Sequence, residues 1–206
     1  ASYASPILFA YAGRRIIANC SSRHGFGADA DTGELLWTVP MTNRFLVNSS
    51  TPVYGSGGVF YVTSYAEDGR LYRLQQDGDG LSANHAWTVP VDTVTGAGIL
   101  VEGVLYISGY QKAKRWFAFD WASGETKYEH EALTTGAAIY ADERLYVQDE
   151  RGMVALLKPA PEGFVTAGQF QLTDKRVRDA WAHPVLLDGR LYLRYHGTLW
   201  CYRVQS

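Results

Sequence analysis

Gly27-Ala28-Asp29-Ala30-Asp31-Thr32-Gly33-Glu34-Leu35-Leu36-Trp37 is the stretch whose reading decides the fold. Asp31-Thr32-Gly33 reads as a tight turn. Asp and Thr side chains bond their own backbone there, and Gly supplies a positive φ at no steric cost. Trp37 follows on an apolar run that reads as a strand. The arrangement returns at Ala118 to Tyr128, where Asp120 matches Asp29, Ser123-Gly124 matches Thr32-Gly33 and Tyr128 takes the place of Trp37. Looser copies end at Trp87, after Asp77-Gly78-Asp79-Gly80, and at Phe170, after Pro161-Glu162-Gly163. The aromatics at 37, 87, 128 and 170 are 50, 41 and 42 residues apart. A period of about 40–45 residues is that of four-stranded propeller blades.

Two further series run in phase with the first. Each unit opens on a short apolar run, as at Thr51-Pro52-Val53-Tyr54 or His183-Pro184-Val185-Leu186. Each then carries a Gly or acidic turn before an aromatic strand, as at Glu102-Gly103-Val104-Leu105-Tyr106 or Asp188-Gly189-Arg190-Leu191-Tyr192. The prolines fall at strand starts, where no ladder donor is needed. The expected architecture is therefore all-β. It is a β-propeller of four-stranded antiparallel blades over 5–40, 50–91, 96–133 and 135–172, with a three-stranded fifth over 182–206.

Composition limits the partners. The 206 residues carry a formal charge of −2, which gives no general attraction for nucleic acid. No apolar run reaches the roughly 18 residues of a membrane span. Cys20 and Cys201 are the only cysteines, isolated in apolar strands, and are expected to be inert buried thiols. No zinc spacing, phosphate loop or nucleophile elbow is present. The histidines are scattered, with no nucleophile–base pair to support a hydrolase.

Blade geometry sorts the loops onto two faces. Connections between blades and between second and third strands share one face, which carries Arg23, His24, Arg44, Lys112, Lys114, Arg115, Lys175, Arg176 and Arg178 among some acids. The opposite face is more acidic, with Asp31, Asp77, Asp79, Glu102, Asp142, Glu143, Glu162 and Asp188. Sites gather on loops held by rigid elements. The candidate face for a protein partner or a small polar ligand is the first, with Arg23, His24, Ser50, Thr51, Lys175, Arg176, Arg178, Trp181 and His183.

The Gly27–Trp37 stretch resembles the tryptophan-docking repeat of PQQ-like β-propellers, Ala-x-Asp-x-x-Thr-Gly-x-x-x-Trp. That family includes quinoprotein alcohol dehydrogenases. It also includes non-catalytic relatives such as the propeller lipoprotein of the bacterial outer-membrane barrel-assembly machinery. The resemblance implies that Trp37, Trp87, Tyr128 and Phe170 dock one blade on the next. It implies six to eight blades in a whole propeller, a periplasmic or extracellular place, and no role for the motif in catalysis. The quinoproteins stack PQQ on a disulfide of adjacent cysteines and hold calcium with Glu, Asn and Asp. This chain has no adjacent cysteines, and no calcium set can be assigned. The expected function is thus a non-catalytic binding or assembly platform of the bacterial envelope, without cofactor. The alternative is part of a PQQ-dependent alcohol dehydrogenase. Missing N-terminal blades, or a strand from another chain, are expected to complete the last blade. Residues 1–206 alone are expected to form an open arc with blades one and five apart.

Overall fold

The computed structural model describes residues 2–94, 96–174 and 180–204. It holds five antiparallel sheets, each wound in chain order. The first is β1 (Ile7–Tyr11), β2 (Arg14–Cys20), β3 (His24–Asp29) and β4 (Leu35–Pro40). The second is β5 (Val53–Gly55), β6 (Gly58–Tyr61), β7 (Gly69–Asp77) and β8 (Gly80–Val89). The third is β9 (Ile99–Val101), β10 (Val104–Ser108), β11 (Trp116–Asp120) and β12 (Thr126–His130). The fourth is β13 (Gly136–Ala141), β14 (Arg144–Asp149), β15 (Met153–Ala160) and β16 (Gly163–Gln171). The fifth stops at three strands, β17 (Val185–Leu187), β18 (Arg190–Tyr195) and β19 (Thr198–Arg203).

The repeat turn works through its aspartate. Asp29 Oδ1 accepts the N–H groups of Asp31 (3.0 Å) and Thr32 (2.9 Å), and Thr32 Oγ1 accepts the N–H of Glu34 at 3.2 Å. Asp120 repeats this with Ala122 (3.0 Å) and Ser123 (2.9 Å). Gly33 and Gly124 both sit at φ 78°, in the left-handed region that closes the turn. These N–H donors hold both carboxyls below the usual carboxylate range. The Thr32 amide contributes most at Asp29 and the Ser123 amide most at Asp120.

The turn delivers an aromatic to the seam between sheets. Trp37 is 6% exposed and lies on Gly27, where an added Cβ would come within 2.1 Å of its ring. Its Nε1 donates to the Tyr61 hydroxyl of the second sheet at 3.3 Å, and that hydroxyl donates to Phe26 O at 2.9 Å. Trp87 is 8% exposed and donates to Trp121 O of the third sheet at 3.1 Å. Tyr128 is half-buried and meets Phe164 of the fourth sheet edge-on, with ring centroids 5.2 Å apart. Phe170 packs on Tyr202 of the fifth sheet at 5.3 Å yet stays 40% exposed. The sheet it leans on has no fourth strand to cover it.

The core is accordingly a chain of seams. One buried cluster joins sheets one and two through Ile16, Trp37, Val59 and Tyr61. Others join sheets two and three, three and four, and four and five. Among the described residues no buried cluster joins sheet five to sheet one. The molecule is a partial propeller with two open flanks. Leu8 (59% exposed) and Leu35 (60%) stand on one, Leu187 (58%) and Leu199 (65%) on the other.

One expectation changes. Cys20 is buried and its thiol is pushed up to about 11, chiefly by burial, but Cys201 is exposed. An unpaired outer strand leaves Cys201 on the open face of β19. On the other face of the same strand Trp200 packs against sheet four, and Tyr202 meets Phe170 while staying 36% exposed.

Candidate functional site

Three loops on one face are held by three buried polar side chains. The first follows β4. Asn43, 4% exposed, accepts the N–H groups of Phe45 (3.0 Å) and Val47 (3.3 Å) on Oδ1 and donates to Thr63 Oγ1 at 2.7 Å. Asn48 anchors the end of this loop by donating to Ser21 O (2.6 Å) and Met41 O (3.1 Å). The other two loops follow β6 and β10. Asp92, fully buried, accepts Ala66 N–H at 2.9 Å from one. It accepts Gln111 N–H (3.0 Å) and Lys112 N–H (2.9 Å) from the other. Buried groups of this kind are costly unless fully bonded, and fully bonded they fix a single loop geometry.

What they fix is a ridge of rings and cations. Phe45, 53% exposed, meets Tyr65 at 4.4 Å, and Tyr65 meets Tyr110 at 6.4 Å. The Arg44 guanidinium lies 4.6 Å from the Phe45 ring centre and 5.7 Å from that of Tyr65. Lys114 Nζ stands 5.5 Å from Tyr110. Leu46, Tyr65 and Ala66 hold positive φ of 54°, 69° and 66°. Non-glycine residues reach that region at a cost of order 1–3 kcal/mol each, and such strain gathers at ligand-contacting segments.

Three of the bases expected on this face are paired with acids on the same side. Lys112 pairs with Asp68, Lys114 with the buried Glu150 at 2.9 Å, and Arg115 with Glu129 (2.7 Å) and Glu131 (2.5 Å). These bases are locally neutralised, so the face is mixed in sign. Arg44 meets rings and, among the described residues, no carboxylate.

The expected site residues are distributed along the arc. Arg23 and His24 are exposed at the turn into β3. Ser50 is 2% exposed and donates to Thr93 O at 3.3 Å, which makes it part of the framework, and Thr51 is half-buried beside it. Trp181, 47% exposed, borders a hollow of about 240 Å³ with Arg194 and His196, and His183 is exposed nearby in the chain. Lys175, Arg176 and Arg178 lie outside the described residues. Asn43, Phe45, Tyr65, Asp92 and Tyr110 were not singled out from sequence as site residues. An asparagine at each end of Asn43-Arg44-Phe45-Leu46-Val47-Asn48, around apolar residues in a loop, was the available signal.

Among the described residues no three His, Cys, Asp or Glu side chains come together as a metal set. Asp92 is committed to backbone amides and Glu150 Oε1 to Lys114.

A family model described as outer membrane protein assembly factor BamB matches residues 9–165. The chain belongs to this BamB-like family of PQQ-like repeats. Solved propellers agree in fold. BamB from Moraxella catarrhalis superposes with a TM-score of 0.63 at 15% identity, over 93% of this chain and 56% of that one. The computationally designed protein Ika8 gives 0.67 at 8% identity, over 96% and 57%. A quinohemoprotein alcohol dehydrogenase from Pseudomonas putida HK5 gives 0.62 at 14% identity, over 98% and 38%. The BamB-like chain thus spans a little over half the length of the first two structures. No curated protein matches it by sequence. No helix among the described residues is long and apolar enough to cross a membrane.

Proposed function

We propose that this BamB-like propeller is a non-catalytic binding platform of the bacterial envelope, engaged in outer-membrane protein assembly. The observation that carries the reading is the Arg44–Phe45–Tyr65–Tyr110 ridge, pre-organised by Asn43 and Asp92. Exposed aromatics beside Arg are what protein interfaces concentrate. A loop already held in its binding geometry loses little entropy on association. The partner is a protein, with Arg23, His24, Trp181 and His183 as outlying contacts on the same face. No cofactor takes part, and the place of action is the periplasm.

Further blades close the ring. The superposed relatives are nearly twice as long, and both open flanks of this arc present apolar side chains. Those blades also supply the fourth strand beside β19, with a strand from another chain as the alternative.

The test is a double substitution, Arg44→Ala with Phe45→Ala, in the full-length protein. Co-purification with its envelope partner should fall at least about tenfold, as loss of a central aromatic–Arg pair does. Unchanged co-purification, with the folded structure intact, overturns the reading. For the quinoprotein alternative, PQQ and calcium are titrated into the protein while quinone absorbance and dye reduction with a primary alcohol are followed. Stoichiometric binding with turnover would establish the dehydrogenase instead.

A further inference from the structure

The seams between the four-stranded sheets are closed at one equivalent pair of positions, and in one seam that pair is small. The equivalence follows from register. Each first hairpin pairs its last inner residue with the first residue of the next strand, as Tyr11↔Arg14, Gly55↔Gly58 and Val101↔Val104. The residue facing it from the next sheet follows the end of the first hairpin's cross-strand match. Leu74 N–H donates to Gly57 O at 2.8 Å, and Trp121 N–H donates to Gly103 O at 2.9 Å. Continuing the Leu145↔Leu157 register of sheet four puts Pro159 in that place.

Between sheets one and two the pair is Tyr11 and Leu74, and the Tyr11 hydroxyl donates to Leu74 O at 2.7 Å. Between sheets two and three it is Gly55 and Trp121. The indole, 3% exposed, fills the seam and its Nε1 donates to Gly55 O at 2.9 Å. Between sheets three and four it is Val101 and Pro159. Neither side chain approaches an indole or a phenol in size. A groove of about 360 Å³ stands open there, on the face opposite the ridge. Its walls include Val101, Val104, Tyr106, Tyr140 and Pro159. Cavities that take small organic groups start near about 300 Å³.

The strand ends of sheets three and four differ at one position. Asp120 caps β11 by accepting the N–H groups of Ala122 and Ser123, so the chain turns and drops Trp121 into the seam. Lys158 stands where Asp120 would and offers no acceptor. β15 runs on through Pro159 to Ala160, and no large side chain is turned into the seam from its end.

We propose that this groove receives an indole side chain presented by another polypeptide, as Trp121 fills the seam before it. The neighbouring seam supplies both the shape and the polar contact, because Val101 O holds the position from which Gly55 O accepts the Trp121 N–H. A polypeptide source fits the rim. Lys127 and Glu102 border the groove and, among the described residues, are in no ion pair, which leaves a donor and an acceptor for the backbone on either side of the indole. The site is independent of the platform reading. It lies on the other face, and its test needs no envelope partner.

The test is an NMR titration of the ¹⁵N-labelled chain with the capped peptide Gly-Gly-Trp-Gly-Gly. Saturable shifts are expected at the amides of Glu102, Val104, Glu143 and Ala160, with none from the capped Gly-Gly-Ala-Gly-Gly peptide. Pro159→Trp should fill the groove and abolish the shifts. Tyr140→Ala, at a residue already 37% exposed, should keep the fold and weaken binding by about fivefold or more. Absence of saturable shifts at the groove overturns the proposal, as does unchanged binding in folded Pro159→Trp or in Tyr140→Ala. Tighter binding of free L-tryptophan than of the capped peptide overturns the polypeptide source.

Discussion

Three glycine-to-alanine substitutions separate the two reasons a propeller of this kind needs glycine. At Gly27 the reason is steric. The added methyl would lie 2.1 Å from Trp37 Cη2, inside any permitted contact, so either the indole or β3 must move. A partial shift costs about 1–3 kcal/mol as overpacking. Full expulsion of the indole re-exposes about 150–250 Å², or roughly 4–6 kcal/mol at about 25 cal/mol/Å². At Gly33 nothing lies within 4 Å of the new methyl, and the cost is that of holding alanine at φ 78°. This is about 1–2 kcal/mol. Gly168, in β16, also has nothing within 4 Å and has no positive φ. Alanine there should be neutral or stabilise by up to about 1 kcal/mol. Urea unfolding of the four proteins at pH 7 should rank them Gly168→Ala, wild type, Gly33→Ala, Gly27→Ala from most to least stable. A Gly27→Ala variant within about 0.5 kcal/mol of wild type would refute the close-packed seam.

Other outcomes follow from single features of the structure. The Asp29 and Asp120 carboxyls are held low by amide donors, so their contribution is present above the unfolded value of about 3.9 and is lost as pH falls through the folded value. The stability gap between wild type and an Asp29→Ala, Asp120→Ala variant should therefore narrow between about pH 5 and pH 2 in denaturant titrations. A gap unchanged by pH would contradict the turn chemistry. A thiol reagent should label Cys201 in the native protein and reach Cys20 only after denaturant, and two native equivalents would contradict the burial of Cys20. Asn43→Ala removes a buried side chain that accepts from Phe45 and Val47 N–H and donates to Val47 O, Asn48 Oδ1 and Thr63 Oγ1, and should cost about 2–3 kcal/mol while speeding amide exchange at Phe45 and Val47. Unchanged exchange there would mean that the loop is held by other contacts.

The architecture was legible because it rests on local chemistry repeated at a fixed period. Asp29, Thr32 and Gly33 name their own turn, and Trp37 names the strand after it. The copy at Asp120 shows that neither is accidental. The open flanks were legible for the same reason, since counting strands per unit is enough to find a unit that stops at three. The aromatic ridge was not legible. Phe45, Tyr65 and Tyr110 are 20 and 45 residues apart, and what aligns them is buried Asn43, bonded to backbone amides of its own loop, and buried Asp92, bonded to those of two others. Backbone partners leave no mark in the sequence. The pairing of this face's bases was hidden on the same account, because Glu150 lies 36 residues from Lys114, the base it neutralises. The groove at Val101 and Pro159 was also hidden. It appears only when the three seams between four-stranded sheets are compared position by position and the third is found to lack the Tyr or Trp of the other two.

The central claim is that this propeller acts through the face carrying Phe45. Photo-crosslinking in intact cells tests it most directly, with a photoreactive residue at position 45 of the full-length protein and another at position 142 on the opposite face. The account predicts a discrete crosslink from 45 to a protein of the outer-membrane assembly machinery, weakened by Arg44→Ala, and no such product from 142. The same product from 142 and none from 45 would contradict it.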